Sequence, residues 1–183
     1  MTPRTENADP IDPPGRTTVR AAALVLLSLP ECWENFLDLA RAKDYVPGLT
    51  DTVVTTEAKS GLGASRVVSH AQFGDMNETV IAWDEGRGMT IRLHKGDKPA
   101  TPFKEAEFRY EFRPTNRDDQ CEIHTSLSYV LRGGPLGRLA DTLFLKKLFS
   151  RNVLDTAVCL AENYRTNEPV DHSLLPDLRR NSL

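Results

Sequence analysis

Arg66 and Glu78 carry opposite charges on two stretches, 64–73 and 77–84, separated by the turn residues Gly74 and Asp75. If those stretches pair as a hairpin, the two side chains come close. On the residues alone they then read as an exposed cross-strand ion pair contributing under about 1 kcal/mol. Tyr110, Thr125 and Tyr129 fall on the apolar sides of two later alternating stretches. Hydroxyls placed there need partners, and a wet or ligand-filled cavity supplies them more readily than a dry core. Phe108, Phe112 and Leu127 share those sides and Leu93 shares the apolar side of its own stretch with Met89 and Ile91, so each reads as core or as cavity wall. Trp83 reads equally as pocket wall or as sheet packing.

Other chemistries find little support. His70 shares strand parity with Arg66, His94 and His124 fall on solvent-facing parities, and His172 lies near the C-terminus. Four histidines without common spacing do not make a metal site, and no metal or other cofactor is expected. Cys32, Cys121 and Cys159 are odd in number and widely spaced, which reads as reduced, structural thiols in a cytoplasmic protein. Gly61-Leu62-Gly63 lacks the third glycine of a dinucleotide fingerprint, and there is no P-loop or G-x-S-x-G elbow. The 183 residues hold 23 basic against 26 acidic side chains, a net charge of −3 that argues against nucleic acid as the main partner. The longest apolar run, 21–27, is far short of the roughly 20 residues that cross a bilayer. Glu6, Asp9 and Asp12 stand where a signal peptide would need apolar residues, so secretion is not expected.

The elements that position these residues follow from periodicity. Residues 1–16, with four prolines, read as a flexible leader, and 167–183 as a tail that docks weakly or not at all. Residues 17–29 form a strand, and Pro30-Glu31 starts a helix carrying Trp33, Phe36, Leu37 and Ala40 at helical spacing. A shorter helical or turn segment around Tyr45 ends at Pro47-Gly48. Five breaks between 50 and 132 imply six strands in a meander. Within it, 104–113 alternates Ala106, Phe108, Tyr110 and Phe112 against charge, and 121–131 alternates Cys121, Ile123, Thr125, Leu127, Tyr129 and Leu131 against polar residues. A long helix then runs over about 136–164. Leu136, Leu139, Ala140 and Leu143 define its stripe, which Leu154, Ala157, Val158, Ala161 and Tyr164 resume. Between them Lys146, Lys147, Ser150 and Arg151 fall on the stripe while Leu145, Leu148 and Phe149 fall opposite. Either the helix kinks and re-phases there, or its middle faces something other than packed core.

That element order resembles the helix-grip fold of the START-like superfamily, in particular the polyketide cyclase/dehydrase and lipid-transport-like proteins. The resemblance spans about 17–165. Its motifs are Pro30-Glu31-Cys32-Trp33 at the strand-to-helix step, Gly61-Leu62-Gly63-Ala64-Ser65-Arg66 at a glycine turn, Asn77-Glu78-Thr79-Val80 with Trp83-Asp84 in its hairpin partner, and Gly134-Pro135-Leu136-Gly137 entering the last helix. It implies an α+β domain over 17–166: a curved antiparallel sheet of about seven strands wrapped around a long C-terminal helix, with two short helices after the first strand. Between sheet and helix it implies an apolar cavity of several hundred Å³ for a hydrophobic or aromatic small molecule, a lipid, quinone or polyketide-like compound. Trp83, Leu93, Phe108, Tyr110, Phe112, Thr125, Leu127, Tyr129, Leu143 and Lys147 become its expected lining. Lys146, Lys147 and Arg151 would then lie over the mouth, facing an acidic ligand group or, in a peripheral contact, a membrane surface. Arg66 and Glu78 become a buried pair that orients a carbonyl or phenol. An enzyme of the cyclase or dehydratase kind is the alternative to a carrier, with Arg66, Glu78 or Tyr110 as catalytic candidates. An interaction module built on Leu145, Leu148 and Phe149 and on the leucine-bearing tail is a third reading, and the chain is expected to be monomeric or homodimeric.

Overall fold

Branched and small residues on both parities carry the chain into β1 (Thr17–Val25), which ends where Ser28, Pro30 and Glu31 set up a helix start. Ser28 and Glu31 form a reciprocal capping box, with the Ser28 backbone N–H donating to Glu31 Oε2 at 2.9 Å. In the computed structural model, which describes residues 15–134, 137, 139 and 141–180, α1 (Leu29–Phe36) follows, then a 3₁₀ turn (Leu39–Arg41) and α2 (Ala42–Tyr45). Gly48 turns the chain into the sheet with φ +86°, and a Cβ there would push the His70 ring aside. The left-handed conformation is what favours glycine at that position.

The meander consists of β2 (Leu49–Val54), β3 (Ser65–His70), β4 (Gly74–Asp84), β5 (Gly88–Lys95), the two-residue β6 (Lys98–Pro99), β7 (Phe103–Pro114) and β8 (Cys121–Leu131). One antiparallel sheet results, ordered β1-β8-β7-β5-β4-β3-β2 with β6 on β5. It has eight strands because the stretch after Lys95 pairs briefly instead of only turning. β7 and β8 follow the expected alternation: Ala106, Tyr110, Phe112, Cys121, Ile123, Thr125, Leu127 and Tyr129 are buried. β4 does not keep one phase. A bulge between Val80 and Ala82 turns Trp83 inward and leaves Ile81 exposed.

The long helix resolves its conflicting pattern through a π-turn. Asp141–Leu145 is π-helical and α3 (Lys146–Thr166) continues from it, so the residue inserted per turn rotates the following face. The expected stripe is therefore wrong in its first part, where Leu139 and Leu143 are exposed; Leu136 and Ala140 lie outside the described residues. Phe149 turns inward, packing on Phe103 and Tyr129, and Leu145 is half-buried. α3 lies across β1 and β8, burying Val153, Ala157, Val158 and Leu160, and ends at Asn167 in the left-handed conformation. The segment beyond it docks firmly. The Val170 N–H donates to the Asp44 carbonyl at 2.8 Å, and α4 (Leu175–Arg180) brings Arg179 onto buried Asp155 in a bidentate pair at 2.6 and 2.7 Å. Of the expected flexible leader, residues 1–14 lie outside the described residues, while Arg16 bonds Glu105 and Glu107 of β7. Cys32 and Cys121 are buried free thiols with sulfurs 3.1 Å apart, and Cys159 is buried too. No helix among the described residues is long and apolar enough to cross a membrane.

Candidate functional site

Arg66 and Glu78 are direct partners in the β3–β4 ladder, on the face that points into the molecule. Arg66 is 2% and Glu78 8% exposed, so the pair is interior and not a surface ion pair. A charge buried this deeply needs several partners. Arg66 Nε donates to Glu78 Oε2 at 2.6 Å, Nη1 donates to the Leu39 carbonyl at 2.7 Å, and the Tyr45 phenol is a close electrostatic neighbour of the guanidinium. The 3₁₀ turn after α1 thus supplies a carbonyl and α2 supplies a phenol. Burial opposes the Arg66 charge more than any one neighbour supports it, but Glu78, Tyr45 and Tyr110 together outweigh it, and the guanidinium is held protonated.

Tyr45 and Tyr110 are close electrostatic neighbours, which joins β7 to the cluster. Burial pushes the Tyr110 phenol well above the ordinary tyrosine value; the neighbouring Tyr45 and Glu78 add to the shift and Arg66 opposes it. Tyr110 therefore stays a neutral O–H across the physiological range.

Glu78 and Tyr110 form the polar end of an otherwise largely apolar cavity of about 170 Å³. Ile91 and Leu93 of β5, Phe103 and Phe108 of β7, and Leu127 of β8 supply its sheet wall. Phe149, Asn152, Val153 and Thr156 of α3 face them, and Val46, Pro47 and Leu49 close the side. His70, Phe73 and Met76 complete it, with Phe73 70% exposed at the mouth, where its ring lies tilted against His70 with centroids 4.5 Å apart. Burial lowers the His70 pKa, so the ring is neutral at physiological pH. The volume falls short of the several hundred Å³ expected, because the rings of Phe36, Phe103, Phe108, Tyr110 and Phe149 occupy much of the gap between sheet and helix. A larger depression of about 560 Å³ lies elsewhere, over β5–β7, but Arg92, Asp97, Lys98, Lys104, Glu105 and Glu107 line it, and such mixed charge suits water better than an apolar ligand.

Of the lining residues expected from sequence, Leu93, Phe108, Tyr110 and Leu127 meet at this cavity. The other six do not line it. Trp83 packs on Trp33 at 4.9 Å and donates to Glu85, and Phe112 is core between Phe36 and Tyr164. The Thr125 hydroxyl donates to the Val153 carbonyl at 3.1 Å, pinning α3 to the sheet. The Tyr129 hydroxyl donates to Asp141 Oδ1 at 2.5 Å, while Thr17 donates to Oδ2 at 2.9 Å. Leu143 and Lys147 are exposed, Leu143 on the π-turn and Lys147 on the first turn of α3. Sequence reasoning missed Phe149, Val153 and Thr156. Their signal was present as spacing i, i+4, i+7, continued by Leu160, but the π-turn moves the buried face onto it. Among the described residues no group of three or more His, Cys, Asp or Glu could hold a metal ion.

With sheet, gripped helix and cavity in place, the comparison with known families is decisive. The family described as polyketide cyclase/dehydrase and lipid transport matches residues 16–164. The chain belongs to that family. A search of curated protein sequences finds no match. Similar solved structures of family-like fold include the Zhui aromatase/cyclase from a Streptomyces species, at 13% identity and TM-score 0.65, covering 83% of this chain and 96% of that one. A START superfamily protein from Mycobacterium smegmatis has 13% identity and TM-score 0.61, covering 82% and 98%. Norcoclaurine synthase from Thalictrum flavum, in complex with dopamine and hydroxybenzaldehyde, has 13% identity and TM-score 0.59, covering 84% and 88%. At these identities the likeness is one of fold, and this member's chemistry rests on its own cavity.

Proposed function

We propose that this family member binds a small hydrophobic molecule built around one ring and carrying a hydroxyl or carbonyl, held between the sheet and α3. The observation that carries the reading is an apolar cavity whose polar end is the buried Glu78 and Tyr110. A volume of about 170 Å³ is close to that of engineered apolar cavities, of about 150 Å³, that take up benzene. A multi-ring polyketide would need the helix to move. The ring-bearing compounds in the norcoclaurine synthase structure favour the same size class. Apolar walls supply the affinity, Tyr110 donates to a ligand oxygen, and Glu78, set in place by Arg66, accepts from a ligand hydroxyl.

Titration with 4-hydroxybenzaldehyde and with toluene, followed by NMR, tests this. The phenolic aldehyde is expected to bind at least tenfold more tightly, and Tyr110→Phe to remove most of that preference. Binding of neither ring, or equal binding of both, would overturn the reading.

The second reading, an enzyme of the cyclase or dehydratase kind, is favoured by a carboxylate and a phenol facing one cavity, the pair of groups that general acid–base chemistry uses. Native mass spectrometry of protein purified from its own host separates the two. A molecule retained unchanged supports a carrier. Conversion of the released molecule by fresh protein, lost in Glu78→Gln, supports an enzyme.

A further inference from the structure

The π-turn and the first turns of α3 expose what a helix gripped by a sheet would ordinarily bury. Leu143 is 58%, Phe144 71% and Leu148 46% exposed, with Leu139 at 56% just before them. Large side chains so exposed within ten residues form a contiguous apolar surface, unlike the scattered single leucines normal on soluble proteins. The arrangement is built. Asp141 opens the π-turn and is clamped by Tyr129 of β8 and Thr17 of β1, which fixes the rotation that turns Phe149 inward and Leu143 and Phe144 out.

The charge along this helical stretch has one sign. Lys146, Lys147 and Arg151 are exposed among the apolar side chains, and no acidic residue occurs between Asp141 and Asp155. The chain as a whole carries −3, so the basic character is local to this face. Apolar side chains interleaved with lysine and arginine on one helical face match the boundary between headgroups and acyl chains of an anionic bilayer. The next residues of the helix, Phe149 and Asn152, line the cavity, and exposed Phe73 stands at its mouth. We infer that the face bearing Leu143, Phe144, Leu148, Lys146, Lys147 and Arg151 docks on anionic membranes and sets the cavity mouth at the lipid surface.

The inference does not depend on which molecule the cavity holds. Flotation of the full chain with vesicles tests it, comparing phosphatidylcholine alone with phosphatidylcholine–phosphatidylglycerol mixtures. Binding to the anionic vesicles is expected to be at least tenfold tighter and to be released by about 1 M salt. Phe144→Ser with Leu148→Ser should abolish it without lowering the melting temperature, since both side chains are exposed. Lys147→Glu with Arg151→Glu should remove the anionic preference, each basic residue near such a surface contributing roughly fivefold. No binding to anionic vesicles, or binding that survives both pairs of substitutions, would overturn the proposal. So would sedimentation showing that the apolar pair converts a dimer to a monomer without any vesicle binding, which would make the face a contact between two copies.

Discussion

Two buried carboxylates, Glu78 at the polar end of the cavity and Asp141 at the start of the π-turn, are each 8% exposed, and each engages a tyrosine-bearing cluster. Their surroundings separate them. Asp141 has one oxygen taken by Tyr129 and the other by Thr17, and it lines no part of the cavity. Glu78 is bonded through Oε2 to Arg66 and lies in the cavity wall beside Tyr110. A buried acid next to a tyrosine is thus not by itself a site. What distinguishes one is an open face onto a cavity, and the other carboxylate of the pair serves to phase a helix.

The sharpest way to break this comparison is to unpair the charges. Glu78→Leu leaves Arg66 buried without its carboxylate and should cost about 3–5 kcal/mol in urea unfolding, while Arg66→Met with Glu78→Leu recovers most of the loss. A cost below about 1 kcal/mol would mean that the cluster is solvated like a surface pair. Asp141→Ala should cost about 2–3 kcal/mol, the scale of hydrogen bonds to a charged group, and leave binding of 4-hydroxybenzaldehyde nearly unchanged. If that substitution abolished binding, the two ends would not be separable. Gly48→Ala, beside the cavity, should cost about 1–2 kcal/mol from its left-handed backbone and displace the His70 ring, which the NMR signals of His70 would report.

Alkaline pH probes both ends at once. Burial is the leading cause that raises the pKa of Tyr45, Tyr110, Tyr129 and Tyr164, the four tyrosines of the chain. Each folded value lies above the unfolded one near 10, so the native state holds more protons at high pH. No stability is lost to this below about pH 10. Above it stability falls as pH rises, and tyrosinate absorbance should appear together with unfolding. Absorbance rising while the fold persists would show that one of the clusters opens to water.

The alternation of β7 and β8 was legible because a period of two puts Ala106, Tyr110 and Phe112 on one face whatever lies beyond the sheet. The register of Arg66 and Glu78 was not legible: the chain turns at 71–73, with Gly74 and Asp75 already in β4 opposite His70 and Ser69, whereas the turn expected at Gly74-Asp75 would have set Arg66 against Trp83. β4 was not, because the bulge after Val80 inverts parity without any residue that announces it. The tail was not, because the bonds of Val170 to Asp44 and of Arg179 to Asp155 join segments far apart in the chain. The rotation of α3 was legible only as a conflict between two stripes.

By itself, then, the sequence determined the order of elements, the dry faces of the later strands and the start of the first helix. Tertiary structure alone decided that this pair is buried, that Tyr110 opens on the cavity while Tyr129 is spent on Asp141, and that Leu143 and Phe144 face outward. The physical reason is range: periodicity and turn chemistry act over a few residues, whereas burial and partner choice depend on side chains brought together from distant parts of the chain.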